Sequence, residues 1–476
     1  MSAVLFRSDA TLRGGIGHFV RTVAIAEELV ARGRRAVLSG EIESPLALQM
    51  VRTAEITVVP PAMNSGELLE QAAEIDAAMI HIDRYEGFSD IRALARGRGT
   101  IISTATDAQY GRRPADVIVD AGPRATHEFH ELYADADVCL GPDHALLRRG
   151  LSAAATHAGP ARRSGVHALV LMGGTDAADY GPAVARAAAG VAGVTRVGLV
   201  GAPGPAPGVI PVPRSPDVTE LLDGWDLVIT AAGTTVWEMA ALGVPMALIG
   251  VAENQRDHYD TLLAAGAAVG LGFLPSKDEL AVADLAEVIA DADARLGMAE
   301  RARRIVDGRG AARVVDVWDA VAADRVSASL ELRPAAMRDA GRLYAWRNDP
   351  LVRRQSRHIE AVRWPEHLSW LRRSLDRPER RLYVANRGGP VGTVRLDATA
   401  PGEWEVSATV APHQRGRGIG SQMIDRALTT LARDGGRTVT AELRHDNDSS
   451  RALFRRSGFI AVDSPADGWE RWVKRL

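Results

Sequence analysis

The sequence predicts an α/β chain: two doubly wound, parallel-sheet domains followed by a smaller α+β domain. Three observations carry this. Short apolar runs alternate with helix-spaced stretches over the first two thirds of the chain. Beyond residue 328 the order becomes strand, helix, then consecutive strands joined by Gly-Gly and Pro-Gly turns. Gly-rich loops stand between strand ends and helix starts in both regions.

The 476 residues suit about three domains. A hydrophobic content of 46% and a charged content of 25% exclude a disordered, collagen-like or coiled-coil chain. The formal charge of -3 argues against a dedicated nucleic-acid binder. Lys277 and Lys474 are the only lysines; the other basic residues are arginine, which leaves little room for Schiff-base chemistry and fits the codon usage of a GC-rich genome. The single cysteine, Cys139, lies in the apolar run Val138-Cys139-Leu140 and reads as a buried thiol; one cysteine makes neither an internal disulfide nor a zinc cluster. The start MSAVLFRSDA lacks the features of a signal peptide, and no run approaches the roughly 20 apolar residues that span a bilayer. The expectation is a cytoplasmic protein with no membrane or nucleic-acid partner, no metal requirement, and an open oligomeric state.

Taken in order, AVLFR (3–7) is a buried strand, SDATLRGGIG a loop, and HFVRTVAIAEELVARG a helix stopped at Gly33. RRAVLSG restarts a strand, completing a β-loop-α-β unit. Strands are expected again at 77–83, 99–104, 116–120 and 137–141. The small, polar segment 155–165 is a linker. A second series follows in VHALVLMGG, RVGLVGAP, DLVITAAG and PMALIGVA, with GAPGPAPG (201–208) as a loop, and it ends in one long helix from ELAVADL to RRIVDG. Past ADRVSASL (323–330) come a strand, a helix, a meander from RRLYVAN to VSATVAP, a loop and helix at RGRGIGSQMIDRALTTLARDG, the strand TVTAELR and a short helix at NDSSRALF. The predicted domains are 1–155, 156–322 and 328–476.

Two places carry chemistry. Gly15, Gly17 and His18 lie where a strand-loop gives way to a helix. Glycines there allow close backbone approach, and a helix start favours an anion. His18 is either a general base, its ordinary pKa being near 6.5, or a capping residue of a Gly-rich turn. In the second domain Ala232-Gly233-Thr234-Thr235 opens a helix after DLVIT; its N–H groups and hydroxyls suit a pyrophosphate, and Glu238 one turn on suits ribose hydroxyls. MGGTD, with Gly174, and Ala252-Glu253-Asn254-Gln255 stand at two further strand ends, where open parallel sheets bind ligands.

The second place is Gln414-Arg415-Gly416-Arg417-Gly418-Ile419-Gly420, between the strand ending near Val410 and a helix. Successive N–H groups at such a turn bind pyrophosphate, and the missing Gly-Lys-Ser/Thr excludes a P-loop. Glu405 on the preceding strand is either a base for an amine or an exposed strand carboxylate. Asn447 either bonds a ligand or fixes its loop, and Ser450 follows it. His413 and His445 read as surface residues. Trp237, Trp346 and Trp370 read as core or cleft walls, and the Arg runs at 352–357 and 371–381 as solvated faces.

These motifs reach two resemblances. Residues 4–25, IDRY (82–85), LGPDHALLRRGL (140–151), LMGGTD, ITAAGTTVWEMAALGVP and VAENQ resemble, in order and spacing, the UDP-sugar hydrolase family of pseudaminic acid biosynthesis, over roughly 1–320. The resemblance implies a GT-B pair of Rossmann-like domains that hydrolyses UDP-2,4-diacetamido-2,4,6-trideoxy-β-L-altropyranose. It implies His18 as the catalytic histidine, Tyr85 and Asn254 as active-site residues, and Gly17, Gly174, Gly233, Thr234, Thr235 and Glu238 as nucleotide contacts. The chain departs from the family at Thr106-Asp107, where paired aspartates are usual, at Ala232-Gly233-Thr234, where Gly-Gly-Ser/Thr is usual, and around Thr11–Gly14.

Residues 328–476 resemble the GNAT N-acetyltransferases, through Arg415–Gly420, Asn447–Phe454 and Ser457-Gly458-Phe459; Trp346-Arg347-Asn348 and His367–Trp370 are similar to members acting on amino sugars and protein N-termini. This implies acetyl-CoA as co-substrate, held by Val410, Arg415, Gly416, Arg417, Gly418, Ile419, Gly420, Asn447 and Ser450; Glu405 remains either the base for the acceptor amine or an exposed strand carboxylate. Phe454 stands where many members carry a tyrosine acid. Together the two imply a bifunctional enzyme that acetylates a nucleotide-linked amino sugar and releases the nucleotide. Three alternatives stand beside it: the same pair acting on another nucleotide-linked amine, a glycosyltransferase fused to the GNAT domain, and a non-catalytic nucleotide-binding module serving it.

Overall fold

The computed structural model describes residues 3–11, 16–106, 113–127, 133, 135–153, 165–173, 176, 179–202, 204, 207–276, 280, 282–463 and 468–476. Gly15, Asp107, Gly174, Lys277 and nearly all of the expected linker lie outside them. The chain forms two compact units, Met1–Ala125 with Cys139–Asp316, and Thr126–Val138 with Val317–Leu476.

The first unit holds two sheets, except that Asp137 and Val138 of the strand β7 belong to the second unit. One contains β1 (Ala3–Arg7), β2 (Arg35–Ser39), β3 (Thr57–Val59), β4 (Ala77–Ile82), β5 (Ile101–Ala105), β6 (Val117–Asp120) and β7 (Asp137–Leu140), in the order β3-β2-β1-β4-β5-β6-β7. From β3 through β6 all neighbours are parallel. Leu5, Phe6, Ile80, Ile102 and Val117 are fully buried, as continuous apolar strands covered on both faces must be. The helix Gly17–Ala31 buries Phe19, Val23, Ile25 and Leu29. The other sheet contains β8 (Val166–Leu171), β9 (Val194–Val200), β10 (Val209–Val212), β11 (Leu227–Ala231), β12 (Met246–Gly250) and β13 (Val269–Phe273). Its order is β10-β9-β8-β11-β12-β13, again parallel. The predicted pair of doubly wound sheets is present. Cys139 is buried in β7.

In each sheet successive strands run outward in opposite directions from one pair, β1/β4 and β8/β11. Ligands of open parallel sheets sit at the carboxyl ends of such a pair.

The second unit holds β14 (Glu331–Pro334), β15 (Arg380–Asn386), β16 (Pro390–Ala400), β17 (Glu403–Val410), β18 (Thr438–Arg444), β19 (Ile460–Asp463) and β20 (Trp469–Arg475), in the order β14-β15-β16-β17-β18-β20-β19. The meander β14–β17 is antiparallel, as expected. β17 and β18 run parallel and pair only at Glu403–Thr438, Trp404–Val439 and Glu405–Thr440; beyond these they part. Val394, Leu396 and Val406 share a buried cluster with Met423, Ile424, Ala427, Leu428 and Leu431 of the helix Ile419–Arg433, whose 3.6-residue apolar spacing turns one face to the sheet.

One expected element differs. The long helix after β13 is two, Val282–Ala290 and Ala292–Arg303, because Asp291 turns extended and its carboxylate accepts the N–H groups of Asp293 and Ala294. A further helix, Gly310–Val326, follows. Among the described residues no helix is long and apolar enough to cross a membrane, and no group of His, Cys, Asp and Glu is arranged for a metal ion.

Candidate active sites

The first site lies at the carboxyl ends of β1 and β4. The helix Gly17–Ala31 starts there, with Gly17 facing open space on its Cβ side and His18 in its first turn. Asp83 follows β4, anchored by its N–H to Arg7 O at 3.0 Å. Its fully buried carboxylate meets His18 Nδ1 at 2.7 Å. Arg21, one helical turn beyond His18, donates from Nε to Asp83 Oδ2 (3.0 Å) and from Nη2 to Oδ1 (2.7 Å). Burial alone would push the Asp83 carboxyl up; the Arg21 charge and the His18 contact outweigh it and hold it below the usual carboxylate range. The Tyr85 ring packs edge-on to the imidazole, centroids 4.5 Å apart, and is 59% exposed.

Across from it, β11 ends and the helix Thr235–Leu242 begins. The N–H groups of Gly233, Thr234 and Thr235 donate to no acceptor among the described residues. A Cβ on Gly233 would meet only Gln255 Nε2, at 3.8 Å, so the turn is open. Three free donors at a helix start are what a pyrophosphate requires. Glu238 is partly buried, and burial pushes its carboxyl up to about 7, against the pull of Arg148 and with the push of Asp217. Asn254 is exposed in the turn Glu253–Gln255 after β12. Just beyond it, Asp257 pairs with Arg124 at 2.8 Å, and His258 bonds Ala232 O through Nδ1 (3.2 Å). Burial holds the His258 imidazole below its ordinary range, and the charge of Arg21 adds to this, so His258 lies within the field of the first half. Arg148 also joins the halves, donating to Glu27 Oε1 (2.9 Å) and Pro216 O (2.7 Å). The Arg124–Asp257 pair, the Arg148–Glu27 bond and the field of Arg21 at His258 thus link the half that carries His18 and Tyr85 to the half that carries Gly233–Thr235 and Asn254.

Asp83, Arg21 and His258 were not singled out in the sequence. Arg21 had a signal, its i+3 spacing from His18. Asp83 stands in the same IDRY motif as Tyr85, but its contact with His18 spans 65 residues of chain.

The second site lies where β17 and β18 part. The chain turns through Pro412–Gln414, and Gly416 (φ 75°) and Gly418 (φ 72°) take left-handed conformations open only to glycine at low cost. The N–H groups of Gly416, Arg417 and Gly418 donate to nothing among the described residues, and the helix Ile419–Arg433 adds those of its first turn. A Cβ on Gly420 would lie 2.7 Å from the Leu453 side chain, so the helix Asp448–Arg456 closes tightly on this turn. From Val406 to Val410, β17 stays paired with β16 but has no pairing with β18, so its edge opens beside this turn. Arg415 donates to Asp349 at 2.7 Å, and Asn447 caps the helix Asp448–Arg456 by accepting the Ser450 N–H at 3.0 Å. Phe454 is buried against Phe459, centroids 5.1 Å apart, and has no proton to give.

Glu405 is half-buried at the last β17–β18 pair. Burial raises its carboxyl above the ordinary range, and Glu442 and Asp397 push the same way while Arg395 and Arg357 oppose them. Glu442 itself accepts from Arg357 and, at 3.1 Å, from Arg471. His367 is buried, held down to about 4 by that burial, and bonds Ala340 O at 3.0 Å; it is a core residue.

Residues 329–460 match the family model for the acetyltransferase (GNAT) domain. The second unit thus contains a GNAT domain, a class that takes acetyl-CoA as co-substrate. Within this class the chain is similar to the N-alpha-acetyltransferase RimI of Mycobacterium tuberculosis, 39% identical over 104 residues, covering 21% of this chain and 63% of that protein. It is also similar to the UDP-N-acetylglucosamine–N-acetylmuramyl-(pentapeptide) pyrophosphoryl-undecaprenol N-acetylglucosamine transferase of Chromobacterium violaceum, 38% identical, covering 24% of this chain and 32% of that one. The spore coat polysaccharide biosynthesis protein SpsG of Bacillus subtilis is 28% identical, covering 22% and 32% respectively. The chain thus spans under two thirds of each relative's length. The glycosyltransferase-like relatives agree with the paired Rossmann-like sheets of a GT-B arrangement.

Proposed function

We propose that this chain is a bifunctional enzyme: an acetyl-CoA-dependent N-acetyltransferase for the amine of a nucleotide-linked amino sugar, and a hydrolase that releases the nucleotide from that sugar. One observation carries the reading. A single chain holds both a Gly-rich turn of vacant donors beside parting strands and, in its first unit, a carboxylate-bound histidine together with a second set of vacant donors at the start of the helix Thr235–Leu242.

In the GNAT domain, the turn Arg415–Gly420 and the stretch ending at Val410 hold acetyl-CoA. Glu405 takes the proton of the acceptor amine as that nitrogen bonds to the acetyl carbon and the carbon–sulfur bond breaks; the thiolate is protonated from solvent. In the first unit, His18 Nε2 takes a proton from water, whose oxygen bonds to the anomeric carbon or the adjacent phosphorus. With attack at carbon the nucleotide leaves with the bonding pair; with attack at phosphorus the nucleotide keeps the water oxygen, and the sugar oxygen leaves with the bonding pair and takes the proton held on His18. In both cases the nucleotide's charge is met by Gly233–Thr235. Glu238 faces the ribose, and Tyr85 and Asn254 border the sugar. The resemblance to the pseudaminic acid family supports UDP-2,4-diacetamido-2,4,6-trideoxy-β-L-altropyranose, or a close relative, as the hydrolysed compound. Placing both steps on one chain raises the local concentration of the acetylated intermediate.

The likeness to the Chromobacterium transferase supports a second reading, in which a sugar acceptor takes the place of water. One experiment separates them. The full chain is incubated with acetyl-CoA and a panel of UDP-linked 4-amino sugars, and acetylated sugar nucleotide and free UDP are followed by mass spectrometry. Acetylation followed by acceptor-independent UDP release, lost in His18→Ala, is the expected result. UDP release only with an added acceptor establishes the glycosyltransferase, and unchanged release by His18→Ala removes His18 from the role.

A further inference from the structure

The base assigned to His18 needs a defined tautomer, and nothing in the proposed reaction itself supplies one. The structure surrounds Nδ1 with two groups of opposite charge. Asp83 Oδ1 is 2.7 Å away and Arg21 Nη2 3.1 Å away, while Arg21 grips both oxygens of the same carboxylate. We propose that Asp83 and Arg21 are positioning residues for His18. Asp83 accepts the hydrogen bond of Nδ1–H, keeps the proton on that nitrogen and so makes Nε2 the proton-accepting one. Arg21 divides the carboxylate's charge, so that Asp83 orients the ring without drawing a second proton onto it.

A lone buried carboxylate against an imidazole would favour the imidazolium, a spent base. A lone arginine would oppose protonation but leave the ring free to turn and to exchange tautomers. The pair does both tasks. Tyr85 offers the edge of a neutral ring, and His258, from the helix Arg256–Ala264, meets Arg21 through its field and spends Nδ1 on Ala232 O. Asp83 is built to stay ionised, fully buried at the end of β4 with the bidentate Arg21 as its counter-ion. This rests on the reading of His18 as the base.

The two residues predict opposite signs. Asp83→Asn leaves Arg21 beside the imidazole uncompensated, so the acidic limb of the pH–rate profile for nucleotide release moves to lower pH. The maximal rate falls roughly 10²-fold, since the ring is no longer held. Arg21→Met leaves the whole carboxylate charge on the ring, so the limb moves to higher pH. Arg21→Lys restores the charge without the two-pronged grip: the limb returns while the rate stays low. The nucleotide affinity of each variant, measured by calorimetry with UDP, stays within about twofold of the parent, which also reports that the variants fold.

A second readout does not use turnover. Nitrogen-15 NMR of the imidazoles, with His18→Gln to assign the signal, is expected to show His18 as the Nδ1–H tautomer in the parent and a mixture in Asp83→Asn. Limbs that move in the same direction, or an Nε2–H tautomer in the parent, would overturn the proposal. If the parent releases no nucleotide from any sugar nucleotide, the functional reading fails, and the tautomer measurement still decides what Asp83 does to His18.

Discussion

Glu405 stands at the last rung before β17 and β18 separate, and its neighbours set how well it can serve as a base. Burial raises its proton affinity first, and the like charge of Glu442 adds to it. An amine acceptor must lose a proton, so a carboxylate with raised affinity is a better acceptor than a solvated one. Glu405→Gln is expected to lower acetyl transfer roughly 10²-fold with the KM for acetyl-CoA unchanged. The sign of the Glu442 effect is fixed by charge. Glu442→Gln removes a like charge and frees Arg357 and Arg471 toward Glu405, so the acidic limb of the acetylation profile moves to lower pH. An unmoved limb together with a full rate for Glu405→Gln would make Glu405 a strand carboxylate only. The sequence held both readings of this residue open, because exposure on a strand and placement at a strand separation look alike along the chain.

At the scale of elements, Asp349 joins two pieces with different tasks. Its carboxylate caps the helix Pro350–Arg354 through the N–H groups of Leu351 and Val352, both at 3.1 Å, and accepts Arg415 of the Gly-rich turn at 2.7 Å. Burial opposes its charge, and the Arg415 bond and the helix N–H groups overcome that, holding its carboxyl below the usual range. Arg415 therefore shapes the turn as well as lending charge. Asp349→Ala and Arg415→Ala should each raise the KM for acetyl-CoA roughly fivefold to thirtyfold, and the double variant should be no worse than the poorer single one, since both remove one interaction. Additive losses in this double-mutant cycle would make the contact incidental. The central strands of all three sheets were legible because β-branched and apolar runs, bounded by Gly and Asp, announce buried strands; β3, β10, β13 and β19, at sheet edges, and β20 beside one were not, because edge strands lack a continuous apolar run. The break at Asp291 was not, because apolar spacing continues across it and only the capping bonds interrupt the helix. The same limit applies to Asp349–Arg415 and to His18–Asp83. Periodicity reports which face is buried, but not which side chains meet across 66 or 65 residues of chain.

At the scale of the molecule, the second compact unit is assembled from two stretches of chain, and a buried ionic network joins them. Asp137, from Thr126–Val138, is 1% exposed and bonds Arg338 Nη1 and Arg342 Nη2, each at 2.8 Å. Arg338 reaches on to Asp324 at 2.8 Å, and Arg333 ties Asp324 to the buried Asp339. Backbone packing seals the join: a Cβ on Gly341 would lie 2.1 Å from Tyr133 O, and the Tyr133 and Trp364 rings lie 5.8 Å apart. Buried ion pairs contribute little net stability when intact, but removing one partner strands the other charge. Asp137→Asn should therefore destabilise this unit by about 3–5 kcal/mol. Replacing the pair together, as Asp137→Leu with Arg338→Met, should cost less than the single change, because the buried Arg338 charge goes with its partner, while Arg342 keeps the Asp135 carbonyl and Asp324 keeps Arg333. Urea denaturation followed by tryptophan emission suits the test, since of the nine tryptophans only Trp225 and Trp237 lie in the first unit. The emission midpoint should fall in Asp137→Asn and recover in the double variant, and acetyl transfer should be lost at the same urea concentration as the emission change. Equal stability of parent and Asp137→Asn would mean that Thr126–Val138 rests on the acetyltransferase unit without supporting it, and residues 317–476 would then be expected to fold alone.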